Sequence, residues 1–266
     1  MPSSFEAISA FEHLEKGKSL FFASDFHLGA PNEQASAERE KKIITWLDTI
    51  KDEAAAIFLV GDIFDFWFEY KKVIPKGFTR FQAKLLDLRT EGVPIYFFTG
   101  NHDAWMFDYF PDQFDIPVFK RPVILHVEGK KLFVGHGDGL GPGDRFYKLL
   151  KKIFEGRFPQ WLFRWIHPDI GVALAHAWSK NSRVSNNDKD EGFISKEKEW
   201  LWHYAKDMEE EVHHDFYIFG HRHIPLDLKV GNHARYLNLG EWINHYTYVK
   251  YDGQNAQLLT FTHQPA

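Results

Sequence analysis

The chain has no cysteine. That excludes disulfides and thiolate ligands, makes a cytoplasmic setting the expectation, and leaves only oxygen and imidazole nitrogen to hold any metal. It also lacks a run of eighteen apolar residues, so no membrane-spanning helix is expected. Met1 to Lys18 mixes Glu, His and Lys and has no apolar stretch of the kind a secretory signal needs. Positive charge is not in excess either. A net charge of −5 argues against a dedicated nucleic-acid binder. Internal repeats and low-complexity tracts are missing, and nothing indicates an obligate protein partner.

What is present is apolar and aromatic. With 266 residues, 44% of them apolar and 17% aromatic, the chain can fill one large domain or one domain with a substantial insertion. The apolar runs share a construction: each ends in residues that bind metals. Leu20 to Ser24 runs into Asp25-Phe26-His27, Ala56 to Val60 into Gly61-Asp62 and then Asp65, and Ile95 to Thr99 into Gly100-Asn101-His102-Asp103. Lys131 to Val134 runs into Gly135-His136-Gly137-Asp138, and Phe216 to Phe219 into Gly220-His221-Arg222-His223. Read as buried strands, these deliver polar residues at strand ends, where open α/β sheets place ligand sites. If the five strands share a sheet, their ends meet on one rim.

The intervening periodicity supports an α/β fold. Residues 5–16 carry Ile8, Phe11 and Leu14 and read as a short peripheral helix. Ser36 is placed to cap a helix bearing Ile43, Leu47 and Ile50. Phe78, Phe81, Leu85 and Leu88 mark a second helix that stops at Gly92 before Pro94. The first hundred residues thus read as βαβαβ, with parallel strands. Beyond residue 120 hairpins follow, with turns at Glu128-Gly129, Gly231-Asn232 and Asp252-Gly253. Two sheets packed face to face with helices outside are expected, the second half supplying its own sheet.

Residues 140–213 differ from both halves. Phe146, Leu149, Leu150 and Ile153 share a helical face, Trp161 to Ile166 and Val172 to Trp178 add apolar turns, and a polar loop runs from Ser182 to Gly192. A long helix then carries Trp200, Leu201, Tyr204, Ala205, Met208 and Val212. Between residues 141 and 183 there are eight basic side chains against three acidic ones, a difference of +5 in an acidic chain. This segment reads as a helical insertion between two parts of a core, 1–139 and 214–266.

Asp, His and Asn without sulfur suit Mn²⁺, Fe or Zn²⁺ and, less well given the imidazoles, Mg²⁺. Seven candidates exceed the needs of one ion. A pair ~3.5–4 Å apart, bridged by a carboxylate, would use them all and would suit in-line displacement at phosphorus. Any one histidine is more often a surface or core residue than a ligand. Five motifs, each following a strand, are not readily met by chance.

In order and spacing, Asp25-x-His27, Gly61-Asp62-x-x-Asp65, Gly100-Asn101-His102-Asp103, Gly135-His136 and Gly220-His221-x-His223 resemble the signature of the calcineurin-like metallophosphoesterases. The resemblance implies a four-layer αββα sandwich with the 140–213 segment as a helical lid. It implies two divalent metal ions, most often Mn²⁺. Asp25, His27, Asp62 and His223 would hold one ion, and Asp62, Asn101, His136 and His221 the other. It further implies that His102 sits beside the phosphate, that Asp103 orients its imidazole, and that Asp65 lies behind the ligands. Within the family, Ser24 to Gly29, Gly61 to Trp67, His136-Gly137-Asp138 and Asp144-x-x-Tyr147 look like the pyrophosphatases of lipid A synthesis that cleave UDP-2,3-diacylglucosamine. That likeness implies a lipid-linked nucleotide substrate, peripheral contact with an anionic membrane at its cytoplasmic face, and substrate contacts from Asn101, His102, Asp144 and Tyr147. Two departures accompany it: His102 stands where the best-known members have Arg, and Gly220-His221-Arg222-His223-Ile224-Pro225 where they have Gly-His-Thr-His-Arg-Pro.

Overall fold

A computed structural model describes residues 5–141, 145–154, 156–174 and 195–262. Two six-stranded sheets form the centre. The first contains β2 (Ser19–Ala23), β3 (Ala54–Val60), β4 (Ile95–Phe98), β5 (Val118–Phe119), β11 (Thr247–Tyr251) and β12 (Ala256–Thr260), in the order β12-β11-β2-β3-β4-β5. The second contains β1 (Glu6–Ile8), β6 (Val123–Val127), β7 (Lys130–Gly135), β8 (Phe216–Phe219), β9 (Pro225–Val230) and β10 (Ala234–Leu239), in the order β1-β6-β7-β8-β10-β9.

The two-residue period of a strand sorts side chains into layers. Phe21, Ile57, Leu59 and Phe97 face α1 (Glu33–Ile50), α2 (Thr79–Thr90) and α3 (Tyr109–Phe114), packing with Ile43, Trp46, Leu47, Phe81, Leu85 and Phe110. The alternate residues Leu20, Phe22, Phe58 and Val60 face the other sheet and meet Leu125, Val134, Ile218 and Leu237. From the second sheet's outer face Phe133, Tyr217, Phe219 and Tyr236 pack on Leu201 and Ala205 of α6 (Trp200–Glu211). The result is helix, sheet, sheet, helix, the four-layer α/β architecture expected. Both faces of the central strands are covered, which is why they read as continuous apolar runs rather than alternating ones. At the centre, Phe58 stacks between Phe22 and Tyr96, at ring centroid distances of 4.8 and 4.9 Å. Cutting it to alanine there costs about 3–5 kcal/mol.

Four local expectations change. Residues 5–16 are not a helix: Glu6–Ile8 is a strand paired in parallel with β6, where it covers the edge that β6 would otherwise expose. Helix α1 begins at Glu33, capped by Asn32 Oδ1, which accepts from Ala35 N at 2.9 Å. Ser36 lies inside the first turn, and its hydroxyl accepts from Gly29 N instead. The C-terminal hairpin crosses to the first sheet, β11 pairing antiparallel with β2, because Val249 and Tyr251 complete the core between the sheets. The ligand-bearing strands accordingly do not share one sheet. β2, β3 and β4 lie in the first, and β7 and β8 in the second.

In the 140–213 segment, α4 (Arg145–Phe154) and α5 (Arg157–Phe163) precede a helical run at 168–174. The Ser182 to Gly192 loop and the end of the Val172 to Trp178 helix lie outside the described residues. Phe163 seats this segment on the core, its ring 4.6 Å from Phe68 and 4.8 Å from Trp105. Trp105 Nε1 donates to the Phe154 carbonyl at 2.9 Å. Among the described residues no helix is long and apolar enough to cross a membrane.

Candidate metal centre

At the carboxyl ends of β2, β3, β4, β7 and β8 the chain turns sharply and delivers its polar residues inward. Asp25, His27, Asp62, His221 and His223 all have positive φ, from 45° to 67°. Residues other than glycine rarely adopt that region, and a set of them concentrated at one site marks backbone held under strain for function. Glycines make the approach possible. A Cβ on Gly100 would collide with the Asp62 carboxylate and amide, and one on Gly220 with Ser24 and the Asp25 carboxylate.

Potential ligand atoms of Asp25, His27, Asp62 and His223 all lie within 4.8 Å of one another, and those of Asp62, His136 and His221 likewise. Asp62 belongs to both groups and is 1% exposed, so the two sites share a buried carboxylate. His223 Nε2 is 3.1 Å from Asp25 Oδ1 and 3.1 Å from His27 Nε2. His136 Nδ1 donates to the Val60 carbonyl at 2.9 Å, so in the neutral ring Nε2 is the acceptor; it lies 3.3 Å from Asp62 Oδ2. Asn101 Oδ1 is buried with no hydrogen-bond partner.

Electrostatics describe the same demand. Burial opposes charge throughout. On His27 the Asp25, Asp65 and Asp62 carboxylates outweigh it, on His136 chiefly Asp62 does, and both imidazoles are pushed up to about 10. On His221 burial prevails, aided by His136, and holds the ring down to about 4. Carboxylates that draw positive charge so strongly, inward-facing imidazoles and an unpartnered amide oxygen fit divalent cations with oxygen and nitrogen ligands.

Around the ligand atoms, the expected support differs in one respect. Asp103 does not orient His102. Its carboxylate accepts from four backbone N–H groups: Gly100 at 2.7 Å, Ile63 at 2.8 Å, and Asp62 and Phe64 at 3.3 Å. It therefore ties the β3 turn to the β4 turn. His102 instead donates from Nδ1 to the Asp65 carbonyl at 3.0 Å, while its own N–H donates to Asp62 Oδ1 at 2.8 Å. The Asp65 carboxylate lies 3.7 Å from His27 Nδ1. Burial lowers the pKa of His102, favouring the neutral ring; with Nδ1 donating, Nε2 is its acceptor. Asp138 pairs with Lys151 Nζ of α4 at 2.6 Å.

Sequence reasoning missed Glu199 and Trp200. They stand about twenty residues before the 220–223 motif with no local mark of their own, and only the packing of α6 brings them to that loop. Ser24, the neighbour of Asp25, carries no sign of its own in the sequence; its hydroxyl is buried against Gly220. Tyr147 lies in α4, and Asp144 lies outside the described residues.

Comparison with known proteins accords with this geometry. The family described as calcineurin-like phosphoesterase matches residues 19–225. A Porphyromonas gingivalis protein named UDP-2,3-diacylglucosamine hydrolase is 36% identical over 253 residues, covering 90% of this chain and 96% of that one. Proteins of the same name from Histophilus somni and a Shewanella species are each 27% identical, over 85% and 90% of this chain and 92% and 97% of theirs.

Proposed function

We propose, from the premise that this chain belongs to the calcineurin-like phosphoesterase family and is a metal-dependent hydrolase, that it cleaves the pyrophosphate of UDP-2,3-diacylglucosamine. Water adds across the P–O–P linkage, giving UMP and 2,3-diacylglucosamine 1-phosphate. The observation that carries the reading is the pair of ligand groups sharing buried Asp62. The substrate rests on the relatives' names.

Asp25, His27, Asp62 and His223 would hold one ion, and Asp62, Asn101, His136 and His221 the other. Mn²⁺ suits this mixed carboxylate, imidazole and amide set. When bound, such a pair neutralises phosphoryl charge and lowers the pKa of water. The chain's own residues do the rest. His102, fixed through Nδ1 by the Asp65 carbonyl, presents Nε2 toward a phosphate held at the ligands; once protonated it donates to a phosphoryl or leaving oxygen. Asp103 keeps the turns bearing Asp62 and Asn101 in register.

The 140–213 segment is the lid and lipid-reading surface of this proposal. In α5 and just beyond, Phe158 is 70% and Trp165 74% exposed, with Trp161 and Leu162 also exposed. Each methylene taken from water by such a surface contributes about 0.8 kcal/mol. Lys152, Arg157 and Arg164 beside it would meet anionic headgroups, and Asp144 and Tyr147 would contact the substrate head. Mn²⁺-loaded protein is assayed against the lipid nucleotide, a dinucleoside polyphosphate and a chromogenic phosphodiester. Preference for the lipid nucleotide, with rates that depend on acyl length, is expected. Equal rates on all three would favour a phosphodiesterase without lipid preference.

A further inference from the structure

Helix α6 opens against the loop that carries His221 and His223. Glu199, immediately before the helix, is 3% exposed, yet its carboxylate makes no capping bond to its own helix. It is directed outward to other elements. Glu199 Oε2 accepts from Arg222 Nε at 3.0 Å, and Oε1 accepts from the Tyr236 hydroxyl at 3.3 Å. That hydroxyl accepts from Asn238 Nδ2 at 3.3 Å, and the same amide donates to the Gly220 carbonyl at 2.6 Å. Arg222 lies over the Trp200 ring, 4.2 Å from its centroid, and Trp200 meets the His221 ring edge-on at 6.4 Å.

The 220–223 loop is thus held by one buried carboxylate, directly at Arg222 and through Tyr236 and Asn238 at Gly220. Arg222 stands between two candidate ligands whose backbones are in the left-handed region, a conformation that persists only where surrounding contacts impose it. A buried guanidinium–carboxylate bond is the strong, directional contact that can do so. Side chains that hold ligands in orientation matter to metal affinity, their loss typically costing about 10–100-fold.

We propose that Glu199 is a positioning residue of the metal centre, acting through Arg222 and Tyr236 to set how His221 and His223 face the ions. The proposal rests on the metal-centre reading above. It also gives the return end of the 140–213 segment a part in the metal centre besides covering substrate.

The test is Mn²⁺ titration of purified protein, with free ion read by electron paramagnetic resonance, beside circular dichroism and diester turnover. Native protein binds two Mn²⁺. Glu199→Ala and Arg222→Met lose about 10–100-fold in Mn²⁺ affinity, while Glu199→Gln, whose amide oxygen still accepts from Arg222, recovers most of it. Glu209→Gln loosens the far end of α6, where that carboxylate accepts from the Tyr217 hydroxyl at 2.8 Å and His214 N at 3.0 Å. It lowers Tm but leaves Mn²⁺ affinity within twofold. Native-like affinity in both Glu199→Ala and Arg222→Met overturns the proposal and leaves the metal centre standing. So does an equal loss in Glu209→Gln, which would make the effect one of helix stability. If Glu199→Ala fails to fold, Arg222→Met decides alone. A native protein that binds no Mn²⁺ overturns the metal reading itself, and the proposal with it.

Discussion

The ligand rim and the α4–α5 segment are built on opposite terms. At the rim Asp25, His27, Asp62 and His136 are buried, backbone N–H groups of the β3 and β4 turns donate to Asp103, and the His136 ring donates to the Val60 carbonyl. In α5 no residue is buried, and Trp161 and Trp165 turn their rings to solvent. One region uses strained turns and buried charge to bring the ligand atoms of each group within 4.8 Å of one another. The other lays out exposed apolar and basic side chains on short helices. The difference teaches a division of labour: phosphoryl chemistry needs preorganised groups, while reading a lipid tail needs area rather than geometry.

The sharpest way to break that comparison is Asp62→Ala. Removing the carboxylate common to both groups is expected to abolish bound Mn²⁺ and to lower turnover on lipid nucleotide and small diester alike, by more than about 10³-fold. Far-UV circular dichroism should stay native. Metal content by elemental analysis checks it, and full Mn²⁺ occupancy with normal turnover would remove the assignment. Next in size, His102→Ala should lower kcat by ~10²–10⁴ with Mn²⁺ retained. A change below threefold would mean that the imidazole has no chemical part.

Gly100→Ala asks how much the rim depends on close approach. Its added methyl meets Asp62 directly, so an overpacking cost of about 1–3 kcal/mol and a Mn²⁺ affinity lower by about tenfold or more are expected. Denaturant melts and Mn²⁺ titration measure the two. The smallest effect is the most selective one. Trp161→Ser combined with Trp165→Ser should reduce kcat/KM on the lipid nucleotide by about tenfold, the size of one partly buried aromatic contact. The small diester should be unaffected, because these rings lie outside the rim. Equal loss on both substrates would dissolve the distinction between the two regions.

Asp65 and Asp103 illustrate where reading the chain stops. Both were visible as motif residues, and their types suited supporting parts. Which of them meets His102 is set by the tertiary contact of the β3 and β4 turns, where His102 reaches the Asp65 carbonyl and Asp103 takes the backbone N–H groups of both turns. Glu199 is the harder case: a glutamate before a helix has no local mark of function, because its partner Arg222 is distant in sequence. Residues 5–16 failed in another way. Ile8, Phe11 and Leu14 have helical spacing, but the exposed edge of β6 offered a better partner than an isolated helical turn.

What the sequence alone determined was the order and content of the strand ends. An apolar run stopped by glycine and followed by Asp, Asn or His is a local statement, since strand burial and turn chemistry depend on neighbouring residues. The layered α/β class followed from the same local periodicities. The tertiary structure alone decided that the five strand ends come from two sheets, that β11 closes the first sheet beside β2, and that α6 holds the His221–His223 loop. Those are pairings between residues far apart in the chain. They are selected by which edges and apolar faces remain open once the local elements exist, and no short stretch of sequence carries that information.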